Sequence, residues 1–129
     1  MNYTLQELLD VPRLRALLES LDEIHSLPSA ILDIDGNILI ATAWQDICTK
    51  FHRMNPETEK MCIECDRHIE GRLNELDPHV IYHCPMGLVD AAIPIIIEGE
   101  HLGNVFTGQL FTETPDETYF SKQARQYGF

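Results

Sequence analysis

Residues 30–42 read Ala30-Ile31-Leu32-Asp33-Ile34-Asp35-Gly36-Asn37-Ile38-Leu39-Ile40-Ala41-Thr42, two apolar runs on either side of an Asp-Gly pair. Apolar runs with period two are strand patterns, and Asp-Gly supplies the positive φ that a tight hairpin turn needs. The stretch predicts a β-hairpin with strands over 30–34 and 37–42. Asp33 and Asp35 also suggest a carboxylate pair for acid–base work. Asp35 belongs to the turn and Asp33 to an alternating strand, so that reading is discounted.

Upstream, Thr4 and Glu7 form a capping box for a helix carrying Leu5, Leu8 and Leu9. Asp10 before Pro12 opens a second helix, in which Leu14, Leu17, Leu18, Leu21 and Ile24 recur at helical spacing. Two readings of this helix stand: a dimer-forming signalling helix, or an amphipathic helix packed on the core. Downstream, helical character returns over Gln45 to Met54. Asn55-Pro56 opens a longer helix to about Leu76, where Asp77-Pro78 stops it. Val80–Cys84 and Leu88–Ile97 read as strands, Glu98-Gly99-Glu100 as a turn and His101–Phe111 as the returning strand. Asp116 to Tyr127 is helical again. The order predicts an α+β, PAS-like fold: a five-stranded antiparallel sheet with helices inserted after strand 2 and helices at both ends. At 129 residues this is a single domain, 1–129.

The formal net charge is −12, from 21 acidic against 9 basic residues. Such a field repels phosphate backbones and anionic lipid headgroups, which argues against nucleic-acid or membrane-surface partners. The longest apolar run, Ala91 to Ile97, is broken by Pro94 and stops at Glu98, too short for a membrane span. No signal peptide opens the chain, so a cytoplasmic location is expected and the cysteines are expected as thiols rather than disulfides. The chain ends at Tyr127-Gly128-Phe129 just after a helix, which reads as a boundary inside a longer signalling protein.

Cys62 and Cys65 lie on one face of the long helix, in line with Ile69, Leu73 and Leu76. Cys84 ends a strand and Cys48 sits on the preceding short helix. Three readings stay open. A zinc or iron–sulfur site would use Cys62, Cys65 and Cys84 with His83, but lacks the second paired knuckle. A redox-sensing pair would need Cys62 nearer a helix N-terminus. Otherwise the thiols are small hydrophobes lining an apolar pocket. Cys48 and His52 are four residues apart, and Trp44 stands at a strand-to-helix junction where a pocket would open. Asp90 lies in an otherwise apolar strand, where a carboxylate must pair, face solvent or bind something. Gly108-Gln109 follows in the last strand, with an amide suited to a hydroxyl and a glycine that permits close approach. No nucleophile elbow, phosphate-binding loop, His-Glu-x-x-His or dinucleotide fingerprint occurs, so no catalytic residue is assigned and the domain is read as no enzyme.

Trp44-Gln45-Asp46-Ile47-Cys48 with Phe51-His52, Cys62 and Cys65, Tyr82-His83-Cys84-Pro85-Met86-Gly87-Leu88-Val89-Asp90, Pro94-Ile95 with Gly99, and Gly108-Gln109 form an ordered series. It resembles the PocR sensory domain, a PAS-like module of transcription regulators and sensor histidine kinases, from about Leu5 to Phe111. The resemblance implies a sensor for small organic molecules of the propanediol type. It also implies that the cysteines and nearby strand residues line or support the cavity. A pocket for so small a ligand must be apolar with a few placed polar groups. Trp44, Cys48, His52, Cys62, Cys65, Cys84, Asp90 and Gln109 would supply that mixture, with no cofactor required. The expected partners are the ligand, a kinase or DNA-binding output domain in the same protein, and a second copy if the first long helix dimerises. The rival reading is a metal or redox sensor built on Cys62, Cys65 and Cys84.

Overall fold

The computed structural model describes residues 2–73 and 79–129. The hairpin comprises β1 (Ser29–Asp33) and β2 (Ile38–Thr42), paired antiparallel. Its turn is wider than the two residues the sequence suggests. Asp33 Oδ1 accepts from the Asp35 and Asn37 amides at 3.0 and 2.9 Å, and Oδ2 accepts from Asn37 Nδ2 at 2.9 Å. One carboxylate thus satisfies the loop's donors, so Ile34 leaves the strand and stands 45% exposed.

Both N-terminal helices start where their caps predict. In α1 (Leu5–Leu8), the Thr4 amide donates to Glu7 Oε2 at 2.8 Å and the Glu7 amide to Thr4 Oγ1 at 3.3 Å. Asp10 caps α2 (Val11–His25) through the Arg13 amide. Val11, Leu14 and Leu18 of α2 pack with Leu5 on a cluster of Ile31, Ile40 and Leu102. Leu17, Leu21 and Ile24 turn away from it and are exposed. The core-packed reading therefore describes one stripe of α2 and leaves a second stripe uncovered.

After β2 the chain forms a π-helical segment, Ile47–His52, rather than the α-helix expected over 45–54. Asn55 Oδ1 accepts the Glu57 and Thr58 amides and opens α3 (Pro56–Leu73). The expected continuation to Leu76 and the stop at Asp77-Pro78 lie outside the described residues. Then come β3 (Val80–His83), β4 (Val89–Ile97), β5 (Glu100–Leu110) and α4 (Glu117–Tyr127), the last capped by Asp116. Glu98 and Gly99, both at positive φ, make the β4–β5 turn.

The strands form one antiparallel sheet in the order β2-β1-β5-β4-β3, so the fold is the expected PAS-like α+β architecture. Strand alternation divides the core. Ala30, Leu32, Ala92 and Phe106 face α3, where Ile69 and Leu73 cover them, while Ile31 and Ile40 face α2. Each such Ile or Leu contributes about 1.5–3 kcal/mol on burial. Between β4 and β5 the register slips: Ala91 pairs with Thr107 but Val89 pairs with Leu110. Asp90 therefore faces two residues, Gly108 and Gln109, in a β-bulge.

Candidate functional site

Between α3, the π-helical segment and the sheet lies a cavity of about 70 Å³, partly open to solvent. Its wall includes Trp44, Cys48, His52, Cys62, Cys65, Cys84, Asp90 and Gln109, so the structure brings together every residue singled out for ligand binding. Arg53, Asp66, Tyr82, Met86 and Phe106 also line it.

Positive φ at Ala43 turns the chain out of β2 and brings Trp44 over the sheet. Trp44 Nε1 donates to the Ser29 carbonyl at 3.1 Å, and the Arg53 guanidinium carbon stands 4.9 Å from the ring centroid. Arg53 pairs with Asp66 at 3.0 Å, with both side chains mostly buried. The pair neutralises two charges that neither the cavity nor the core would tolerate singly. Burial pushes the Asp66 carboxyl up, and the Arg53 charge partly offsets that.

His52 is buried, and its Nε2 lies 2.9 Å from Gln123 Oε1 in α4. Gln123 Nε2 donates to the Met86 carbonyl at 3.0 Å, so its oxygen faces His52 as an acceptor. The proton therefore sits on Nε2 of a neutral imidazole, and burial keeps the ring's pKa below the ordinary value. His52 and Met86 line the cavity, and Gln123 is the buried residue of α4, joined to both.

The four cysteines are free thiols. Burial pushes Cys48 and Cys65 up to about 12 and Cys62 up to about 11, and it raises Cys84 as well. They are protonated at neutral pH and poor nucleophiles. Native protein at pH 7.5 is accordingly expected to react with iodoacetamide far more slowly than free cysteine, with all four labelling once urea unfolds it. Rapid labelling of Cys62 or Cys65 by mass spectrometry would instead mark a reactive pair. The metal reading meets a geometric objection. Strand alternation turns His83 outward while Tyr82 faces the cavity. Among the described residues no three His, Cys, Asp or Glu side chains are grouped to share an ion.

Asp90 is engaged with the bulge. Its Oδ1 accepts the Gln109 amide at 2.6 Å, and among the described residues its other oxygen has no protein partner. Burial raises its carboxyl above the ordinary range. Gln109, at φ 56°, accepts the Gln45 amide on its own Oε1. A backbone N–H can pair only with the carbonyl end of the side chain, so the orientation of this amide is fixed.

Arg53, Asp66 and Gln123 escaped the sequence reading, and Tyr82 entered it only as part of the series that carries the resemblance. Asp66 carried a signal, because a charge four residues beyond Cys62 lies on the same inward stripe. Arg53 did not, because the π-helical turn that aims it differs from the α-helix its sequence suggests.

The chain matches a family model described as the sensory domain found in PocR over residues 7–129. The match runs beyond the span ending at Phe111 and takes in α4. No curated protein matches the chain.

Proposed function

The chain belongs to the family of the sensory domain found in PocR, and from that premise we propose that it senses a small organic molecule held in the cavity between α3 and the sheet. The observation that carries this reading is the convergence on one cavity of Trp44, Tyr82, Phe106, the thiols and a few polar groups. A single water needs roughly 10–15 Å³, so about 70 Å³ accommodates a molecule of a few heavy atoms. A short alcohol of the propanediol type, or a simple hydrocarbon derivative, fits that space. The role is sensing rather than catalysis, and it needs no metal or cofactor.

Occupancy acts through α4. A ligand against His52 or Met86 shifts the two partners that hold Gln123, and with them the helix. A ligand biases that helix only by its difference in affinity for two arrangements, typically about 1–3 kcal/mol. The output domain, a kinase or a DNA-binding module of the same protein, reads the change. No helix among the described residues is long and apolar enough to cross a membrane. With its charge of −12, we place the domain in the cytoplasm, away from nucleic acid.

Thermal denaturation in propane-1,2-diol tests the reading. At ten times Kd the ligand contributes about 1.4 kcal/mol, a rise in Tm of roughly 5 °C for a domain of this size. Trp44→Ala removes the wall and the platform under Arg53, and its Tm is expected to stay flat across the same titration while its far-UV spectrum stays native. The reading fails if no short alcohol shifts wild-type Tm, or if Trp44→Ala responds as wild type does.

A further inference from the structure

On the reading that the cavity holds a small organic molecule, we infer that Asp90 and Gln109 together select a hydroxyl group and reject the carboxylate that oxidation of the same alcohol would produce. The two residues meet at the β-bulge, and their hydrogen-bonding capacity is complementary. Asp90 commits Oδ1 to the Gln109 amide and leaves an acceptor oxygen unpartnered among the described residues. Gln109 commits Oε1 to the Gln45 amide, which leaves its Nε2 as a donor with no protein partner among the described residues. Both residues line the cavity. The free acceptor and free donor therefore belong to neighbours on one wall.

A hydroxyl donates one proton and accepts through its lone pairs, so it satisfies both groups at once. An ammonium donates but cannot accept, leaving the Gln109 donor unmet. A carboxylate accepts from Gln109 but brings a negative charge against Asp90. The charges on the wall reinforce that repulsion. Arg53 is already paired with Asp66 at 3.0 Å, so these two cancel and the Asp90 charge remains. An anionic ligand would have to enter a low-dielectric site that already holds a surplus negative charge, the arrangement by which binding sites reject a competitor.

The test is isothermal titration of the whole chain at constant ionic strength with three probes of one carbon skeleton: propane-1,2-diol, lactate and 1-amino-2-propanol. Wild type is expected to bind the diol tighter than lactate by about tenfold or more, and the protonated amine, which keeps a hydroxyl and suits the surplus negative charge, tighter than lactate too. Asp90→Asn keeps an oxygen for the Gln109 amide, preserving the bulge, while removing the charge. It is expected to bring the diol-to-lactate ratio within about threefold, by admitting lactate and by weakening the diol, whose hydroxyl loses its acceptor because the amide presents a donor there. Gln109→Glu keeps an oxygen for the Gln45 amide but deletes the donor, and is expected to weaken the diol by about tenfold.

A wild-type protein that binds lactate as well as it binds the diol or the amine overturns the selectivity while leaving the cavity reading in place. Failure of all three probes to bind wild type overturns both. Should Asp90→Asn not fold, as judged by circular dichroism, the wild-type ratio and Gln109→Glu decide. Asp90→Asn that folds and retains the wild-type ratio removes Asp90 from the selection.

Discussion

Gly108→Ala is expected to lower stability by about 3 kcal/mol and to abolish the response to propane-1,2-diol. Gly108 sits at φ 150°, and a Cβ there would stand 2.3 Å from Asp90 Oδ1, 2.5 Å from Asp90 Cα and 2.8 Å from the Val89 carbonyl. Two of these atoms are backbone of the paired strand, so no side-chain rotation relieves the clash and β4 must move away from β5. The movement breaks the Gln109 to Asp90 hydrogen bond that holds the bulge. The fold and the site therefore fail together, because one glycine permits both the strand pairing and the aim of Gln109. Gly71, in α3, is the control. A Cβ there meets nothing within 4 Å, and alanine in a helix interior is favoured over glycine by up to about 1 kcal/mol. Urea denaturation of the two variants beside wild type should give opposite signs. A Gly108→Ala protein within 1 kcal/mol of wild type that still answers to the diol would mean the bulge is not fixed as described.

Local chemistry is where the sequence was legible. The capping box at Thr4 and Glu7, the cap at Asp10, the hairpin around Gly36 and the Asn55 cap each depend on residues within four positions of one another. Each element starts within a residue or two of where those signals lie. The strand alternation of 30–42 likewise placed Ala30 and Leu32 on one face and Ile31 on the other. The rest depended on partners distant in sequence. The bulge needs Asp90 and Gly108 to be brought opposite each other, and nothing in Leu88–Ile97 or His101–Phe111 taken alone reveals that the register slips there. Gln123 looked like one more polar residue on a polar helix. It is buried because His52 and the Met86 carbonyl reach it from segments 71 and 37 residues away. The site was legible in its residue types, since Cys, Trp and a lone Asp in apolar surroundings all look anomalous. It was illegible in its charges, since Arg53 and Asp66 are ordinary residues until the π-helical turn and α3 face each other.

Glu70→Gln is expected to leave stability nearly unchanged near pH 4.5 and to raise it by about 3 kcal/mol at pH 8. Glu70 is buried on α3 beside the hairpin turn, and its Oε1 has no hydrogen-bond partner among the described residues. Burial pushes its carboxyl from the ordinary 4.5 up to about 7, with the Asp66 and Asp33 charges adding to the effect and Arg67 opposing it. For an acid with a raised folded pKa the sign is the reverse of the usual carboxylate case. Between pH 4.5 and 7 the folded protein keeps a proton that the unfolded chain has released, so stability falls as pH rises through that window. Above it the folded state carries a buried, unmet negative charge. Glutamine resembles the protonated acid in shape and charge at every pH, so the two proteins should coincide in acid and separate as pH rises. Burial also raises Asp66 and Asp90 and lowers His52, slopes of opposite sign that both proteins share, so only their difference isolates Glu70. That difference, followed by urea denaturation from pH 4.5 to pH 8, should grow across the window and then level off. A difference that stays flat would mean Glu70 meets a donor in solution or reaches water, and that its oxygen is not stranded against the hairpin turn.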